Sequence, residues 1–332
     1  MAGGPRMFDT RNRALALTIA RRIVSTLITL LGVAIIIFVI LRLLPGNAIT
    51  ASMGVNAGLL SPAQHAALAH FYGLGKPPVQ QFFSWLGALF QGNLGVSLST
   101  QESVSHLIAQ AAPVTLELSL VSMVFGLLIG VGFGMIGALK PGKVGDEVGQ
   151  GVAVVGLGVP TFVLGTVVVT FMSSHFHYFP SSEPYASFFS DPWMNIQQIF
   201  FPALVLSLGI GAAIMRTTRA AVLEVSSQNF VRTARGKGIK QRVITWRHLF
   251  RNALVPIVTM SGIQLGYLLG GTVIAEQIFV LPGLGRLLVT SINEQDFPVV
   301  QSITMLFATA FVLVNLGVDV ICAVIDPRSR GR

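Results

Sequence analysis

The chain has little charge and only one cysteine. Asp, Glu, Lys and Arg make up 11% of its 332 residues, whereas a soluble domain uses about a quarter, so a water-soluble enzyme is nearly excluded. The lone Cys322 allows no disulfide framework and no cysteine-based metal site. With 52% hydrophobic residues and a mean hydropathy of +0.73, disorder is excluded and nucleic-acid binding is disfavoured, despite a net charge of +9. This composition is that of a membrane protein.

Motifs for catalysis and cofactor binding are also missing. Residues 137–144 approach a phosphate-binding loop, but Val144 stands where a hydroxyl group must bind magnesium. The glycines of 132–137 match a dinucleotide fingerprint, yet they lie in an apolar run, where spacings such as that of Gly130 and Gly134 predict close helix packing. We therefore expect no catalytic residue, metal or cofactor in this chain, and no enzymatic activity of its own.

Six apolar runs are long enough to cross a bilayer. The first holds 22 almost uninterrupted Ile, Leu, Val and Phe residues, and at about 1.5 Å per residue it covers a hydrocarbon layer of about 30 Å. The fourth is the weakest, because Arg216 and Arg219 must reach an interface if it is to span. The predicted spans are residues 23–44, 114–139, 152–172, 202–223, 254–275 and 303–325. They predict an all-α polytopic membrane protein with six transmembrane helices.

Basic residues test this topology independently of hydropathy. All but three of the 22 fall on one side of the predicted spans, the exceptions being Arg42, Lys76 and Arg286. Because positive charge collects in cytoplasmic loops, both termini are expected in the cytoplasm of a cell whose plasma (inner) membrane the chain crosses. The predicted divisions are a cytoplasmic N-terminal segment 1–22, a single transmembrane domain 23–325 and a cytoplasmic tail 326–332.

Two connections are far longer than a simple turn: an outer loop over 45–112 and a cytoplasmic loop over 216–251 that holds nine basic residues. Long structured loops often carry function. In the cytoplasmic loop, serines before Asn229 and glycines at 236 and 238 predict a short helix. A helix of about ten residues is marginal in water, so it needs something to dock against. Periodicity alone leaves two partners open, another protein or anionic lipid headgroups.

The sequence of this loop resembles a known family. Arg-Thr-Ala-Arg-Gly-Lys-Gly at 232–238, followed by Arg-His-Leu-Phe-Arg-Asn-Ala-Leu-Val-Pro at 247–256, is similar to the coupling loop of dipeptide/oligopeptide ABC-importer permeases. Further motifs of the family's B-type permease occur in the same order along nearly the whole chain. They are Leu-Arg-Leu-Leu-Pro-Gly at 41–46, Pro-Val-Thr-Leu-Glu-Leu at 113–118, Val-Pro-Thr-Phe at 159–162, Pro-Gly-Leu-Gly-Arg at 282–286 and Asp-Pro-Arg at 326–328.

The resemblance implies a type I ABC-importer transmembrane domain that forms half of a translocation pore for di- or oligopeptides. Its implied partners are a homologous permease, two cytoplasmic ATPases that hydrolyse the ATP, an extracytoplasmic solute-binding protein and the lipid bilayer. Related permeases carry nickel or glutathione, and both remain alternatives. The rival of a different class is an ATP-independent secondary transporter or channel, which would not need a basic coupling segment.

The resemblance also implies a set of coupling residues. Phe230, Val231 and Ala234 are expected to insert into a cleft of one ATPase, while Arg232 and Arg235 steer the docking. The residues assigned to ATPase coupling are Asn229, Phe230, Val231, Arg232, Thr233, Ala234, Arg235, Gly236, Lys237 and Gly238.

Three polar residues fall at membrane depth: Glu117 in the second span, and Asn315 and Asp319 one turn apart in the sixth. A carboxylate near the bilayer centre costs about 2.5 to 3.5 kcal/mol on insertion scales, so each should face protein or water. They either line the translocation path or form polar contacts between helices, and the second interpretation is favoured.

Overall fold

The computed structural model describes residues 6–43, 61, 63, 76–176 and 184–325. Within these ranges the regular structure is helical, apart from one isolated bridge between Val96 and Ser103. Most of the predicted loop 45–112 before residue 76, and the whole tail 326–332, lie outside the described residues. The helices are α1 Arg6–Leu43, α2 Pro78–Phe90, α3 Val104–Leu139, α4 Val144–Gly158, α5 Thr161–Phe176, α6 Pro192–Ser226, α7 Asn229–Gly236, α8 Gln241–Val243, a π-helix Ile244–Phe250, α9 Arg251–Ile278, α10 Leu284–Asn293 and α11 Phe297–Ile325.

The apolar runs become five long helices and one bent pair. The helices are those predicted, although α3 and α6 each begin ten residues before the predicted span, at Val104 and Pro192, and α1 already begins at Arg6. The predicted span over 152–172 is broken within the run, because α4 and α5 meet there at 103°. Pro160 lacks an N–H group and forces Val159 into an extended conformation with φ −98° and ψ 123°. If the bent pair is counted as one span, the described residues contain six candidate spans.

The chain divides into two compact units. The first comprises Met1–Ser105 with Ser291–Val312, and the second His106–Thr290 with Leu313–Arg332. In the first unit, α1 packs on α2 through Phe38, whose ring lies 5.3 Å from that of Phe82. The carboxylate of Asp296 also organises this unit, since it accepts a hydrogen bond from the Ser97 hydroxyl at 2.5 Å. The predicted segment boundaries at 22 and 325 stay predictions.

In the second unit the long helix α6 lies between α3, α4 and α9. Glycines let α3 approach it: a Cβ added at Gly130 would come within 2.6 Å of Ile214 Cβ, and one at Gly134 within 2.6 Å of Thr218 Cβ. Gly134 of the dinucleotide-like run and the nearby Gly130 therefore serve helix packing, as predicted, whereas a Cβ at Gly132 would have no heavy atom within 4 Å. The core formed around α6 continues into the segment that follows it, where the candidate site lies.

Candidate functional site

The segment after α6 folds into a short helix that is closed by glycine. Helix α7 begins at Asn229 and ends at Gly236. Gly238 adopts a positive φ of 73°, a conformation that glycine allows without strain. In this conformation the Gly238 amide donates to the Arg235 carbonyl at 3.0 Å, and the Ile239 amide donates to the Ala234 carbonyl at 3.2 Å. The predicted short helix and its glycine stop are confirmed.

The two sides of α7 have different environments. Val231 is completely buried and Ala234 nearly so, in the same core as Val225, Ile244 and Leu249. The expectation that Val231 and Ala234 insert into an ATPase is therefore wrong, because these side chains attach α7 to its own chain. The sequence did not reveal this, since the direction of a short apolar face depends on which neighbour it meets.

The other side of α7 is exposed and strongly basic. Phe230 is 41% exposed, and its ring centre lies 6.3 Å from that of His248. Between residues 216 and 251, Glu224 is the single acidic residue. Such a surface complements an acidic partner. We call it the coupling surface, and its exposed members are Asn229, Phe230, Arg232, Thr233, Arg235, Gly236, Lys237 and Gly238.

A π-helix connects α7 to the span that follows. Residues Ile244–Phe250 lie between α8 and α9, and they contact α6, α7 and α9. The Asn252 side-chain amide donates to the His248 carbonyl at 2.6 Å, so this carbonyl has a side-chain partner where the two helices join. π-Helical turns are rare and frequently occur at functional sites. No composition signal in these residues distinguishes them from an ordinary helix.

Arg219, the residue that weakened the fourth predicted span, forms a bidentate ion pair. Its Nε and Nη2 donate to the two carboxylate oxygens of Asp146 at 2.8 and 3.0 Å. The Gly142 amide donates to the same carboxylate at 3.0 Å. A Cβ at Gly137 would lie 2.7 Å from Asp146 Oδ1. The turn that resembled a phosphate-binding loop thus holds a buried acid for Arg219.

A second buried acid, Glu276, is a residue that the sequence analysis did not single out. Glu276 is completely buried; it accepts from the Thr115 hydroxyl at 2.7 Å and from the Arg286 amide at 2.9 Å. A Cβ at Gly283 would lie 2.3 Å from its carboxyl carbon, and one at Gly285 2.9 Å from its Oε2. The motif at 282–286 therefore wraps this carboxylate, and it was the signal that could have revealed the site.

The three polar residues at membrane depth have different surroundings. Glu117 accepts a hydrogen bond from the Tyr185 hydroxyl at 2.6 Å, and the Asn195 amide donates to that hydroxyl at 3.2 Å. Burial, together with the bond to Glu117, raises the pKa of Tyr185 far above its usual value, which keeps the phenol a neutral donor. Asn315 is half-buried and Asp319 exposed on α11.

Comparison with known proteins identifies the family. Residues 130–331 match the family described as the binding-protein-dependent transport system inner membrane component, and residues 15–119 match its N-terminal membrane region. The chain belongs to this family. It is accordingly a multi-pass inner membrane protein and a permease component of an ABC importer, as the resemblance in its motifs implied.

Curated relatives of this permease extend along almost the whole chain. The di/tripeptide transport system permease protein DppB of Pseudomonas aeruginosa (strain UCBPP-PA14) is 38% identical, over 94% of this chain and 98% of the relative. The glutathione transport system permease protein GsiC of Salmonella choleraesuis (strain SC-B67) is 36% identical, with the same coverage of 94% and 98%.

Solved structures share the permease fold. Two crystal forms described as inward-facing conformations of the MetNI methionine ABC transporter match with TM-scores of 0.52 and 0.53. Sequence identity is 18% and 19%, and the matches cover 67% and 66% of this chain and 97% and 96% of the MetNI chains. At this identity the match supports the fold alone.

Proposed function

We propose that this permease forms half of the pore of an importer for di- or oligopeptides. The observation that carries the proposal is the 38% identity, almost from end to end, to a permease named for di- and tripeptides. Glutathione, for which the 36% identical relative is named, is itself a tripeptide and so belongs to the same chemical class. Nickel fits less well, since no group of three or more His, Cys, Asp or Glu in the described ranges could hold a metal.

The proposed assembly pairs this chain with a second homologous permease, two cytoplasmic ATPases and an extracytoplasmic solute-binding protein. Both termini lie in the cytoplasm, an orientation supported by the distribution of the basic residues. In this orientation the coupling surface faces the ATPases and the Glu276 end of α9 faces outwards.

Within this assembly, Phe230 is the apolar side chain that enters the ATPase. The exposed Arg232, Arg235 and Lys237 surround it with positive charge, while Val231 and Ala234 hold α7 to the chain. ATP binding draws the ATPases together and displaces α7. Because α7 packs on the π-helix and the π-helix continues into α9, the displacement reaches the membrane span. Because α7 contacts the two ATPase states differently, ATP binding shifts the equilibrium between the conformations of the pore.

Glu117 has a structural role in this proposal, which its hydrogen bond from Tyr185 supports. Asn315 and Asp319 lie on one face of α11 and stabilise contacts between helices or with the second permease. The variant Asp319→Asn, with assembly measured separately from uptake, tests this assignment. Normal assembly with loss of uptake would indicate that Asp319 lies on the substrate path instead.

The test uses the whole importer in proteoliposomes, with ATP inside and peptide-loaded binding protein outside. Phe230→Asp is expected to release the ATPases on purification and to abolish uptake, whereas Phe189→Asp, at another exposed phenylalanine, should retain the ATPases. Val231→Asp should instead lower the yield of folded chain, because that side chain is buried.

Three results would overturn parts of the proposal. Wild-type assembly and uptake by Phe230→Asp would remove the coupling role. Uptake that persists without ATPases would indicate a secondary transporter or channel. Uptake of nickel but of no peptide by the wild-type importer would show that the substrate is the metal and not a peptide.

A further inference from the structure

Helix α9 presents a continuous exposed stripe through the membrane. Its members recur every three or four residues and so share one helical face. Tyr267, near the middle, is 72% exposed. At about 1.5 Å per residue it lies about 24 Å along the helix from Arg251, well away from both ends. The stripe consists of Thr259, Ile263, Tyr267, Gly270, Ile274 and Gln277.

The exposed face of α3 is different. There Leu116, Leu120, Val124 and Leu128 recur every four residues, and all four are more than half exposed. A face made only of Leu and Val suits the acyl chains of lipid. The span that contains α9 also has the lowest mean hydropathy of the five long candidates. The two exposed faces therefore meet different surroundings.

Near the middle of the α9 stripe, two polar groups have no hydrogen-bond partner among the described residues. They are the hydroxyl of Tyr267 and the side-chain amide of half-buried Gln264, which lies one turn earlier. A threonine in a span can bond to its own helix, as Thr166 does to the Phe162 carbonyl at 2.8 Å. The Tyr267 hydroxyl, at the end of a ring, cannot reach its own backbone. Unpaired polar groups are unfavourable in hydrocarbon, so this face meets water or a polar ligand.

There is also room beside Tyr267 on its own helix. Gly270 lies one turn further along the stripe, and a Cβ added there would have no heavy atom within 4 Å. Gly270 therefore places no side chain next to the Tyr267 ring on this face. A phenol hydroxyl and an amide beside this glycine form a surface that can donate to and accept from an extended polar chain.

We propose that this face of α9 lines the substrate path and that Tyr267 and Gln264 hydrogen-bond the backbone of the transported peptide. The inference rests on the proposed function as a peptide importer. Peptide N–H and C=O groups match the donors and acceptors of these two side chains, whereas Ile263 and Ile274 accept varied peptide side chains without selecting among them. Recognition of the backbone alone suits a pore whose substrate is chosen by a separate binding protein.

The first test measures water access in the assembled importer in proteoliposomes. In a Cys322→Ser background, Tyr267→Cys and Ile274→Cys are treated with a membrane-impermeant thiol reagent, with Leu120→Cys on the apolar face as the matched control. Because the thiolate forms only where water reaches it, the α9 cysteines should react at least about tenfold faster than the control. Addition of peptide-loaded binding protein at a saturating concentration, together with ATP, should slow the modification of both α9 cysteines.

Two outcomes of this test would overturn the inference. The first is equal reactivity at Tyr267→Cys and Leu120→Cys. The second is a Tyr267→Cys that resists the reagent and cross-links to the second permease, which would make the stripe a subunit interface.

The second test measures transport. Tyr267→Phe and Gln264→Leu each remove one hydrogen bond to the peptide, so each should lower the maximal uptake per ATP hydrolysed by about fivefold, while the apparent KM, set by the binding protein, stays unchanged. Thr166→Val removes a hydroxyl that is already bonded within its own helix, and it should transport like the wild type. Unchanged uptake by both α9 variants would contradict this inference alone, whereas a wild-type importer that moves no peptide would contradict the proposed function.

Discussion

Two buried carboxylates in the same unit, Asp146 and Glu276, are stabilised by different means. Asp146 is paired with a charge, the guanidinium group of Arg219 at 2.8 Å. Glu276 is held by dipoles, the hydroxyl of Thr115 and the backbone amide of Arg286. The first arrangement depends on one long side chain that remains partly exposed. The second fixes the backbone conformation of the turn that surrounds it. Asp146 also accepts from the Gly142 amide, but its ion pair joins two helices, whereas Glu276, which has only dipoles as partners, shapes a loop.

The acid held by dipoles should be the harder one to replace. Glu276→Ala leaves the Thr115 hydroxyl and the Arg286 amide without a partner and opens a cavity, so we expect the free energy of unfolding to fall by about 3 to 5 kcal/mol. Glu276→Gln keeps the shape but turns an NH₂ group towards a donor, and it should cost about 1 to 3 kcal/mol. Denaturant unfolding in detergent measures both. Wild-type stability of the alanine variant would show that the turn does not depend on Glu276.

Breaking the ion pair should destabilise the protein less than removing the Glu276 carboxylate, and a second substitution should restore part of the lost stability. Arg219→Gln leaves Asp146 buried beside an uncharged side chain, and its melting temperature should fall below that of the wild type but stay above that of Glu276→Ala. Adding Asp146→Asn removes the unpaired charge and should recover part of the loss. The matched control is Arg216→Gln at an exposed arginine of the same helix. Equal and additive losses in the double variant would contradict a direct interaction.

The smallest effect is expected where a neutral donor meets a half-buried acid. Tyr185→Phe removes the hydrogen bond to Glu117 and should cost about 0.5 to 1.5 kcal/mol of unfolding free energy. Burial and that bond raise the pKa of Tyr185, so its contribution is complete below the ordinary tyrosine pKa of about 10 and is lost as the pH rises beyond it. The wild type should therefore lose more stability than Tyr185→Phe between neutral and strongly alkaline pH. An identical pH dependence of both proteins would contradict this assignment.

Hydropathy was sufficient to predict the spans, and the flanking serines and glycines were sufficient to predict the short helix of the coupling loop. Gly158 and Pro160 mark the break between α4 and α5 in the sequence. A hydropathy profile nevertheless predicts one helix for the whole apolar run, because it carries no information about the direction of the helix axis. Hydropathy cannot reveal a 103° bend.

Residues far apart in sequence account for most of what could not be predicted. Arg219 and Asp146 are 73 residues apart, and Thr115 and Glu276 are 161 apart. No local pattern brings such pairs together, because their contact is a product of helix packing. The burial of Val231 has the same origin, since either side of α7 could have met the π-helix on periodicity alone.

The π-helix also makes the number of residues between α7 and α9 important. An α-helix turns by about 100° per residue, and the residues Ile244–Phe250 follow a different repeat. Every side chain beyond them, Tyr267 included, thus has an angular phase relative to α7 that this segment sets. Insertion or deletion of one residue here would leave the sequences of both flanking helices intact and rotate the α9 stripe by about 100° against the coupling surface. The number of residues in this junction therefore sets the orientation of the α9 stripe relative to the coupling surface.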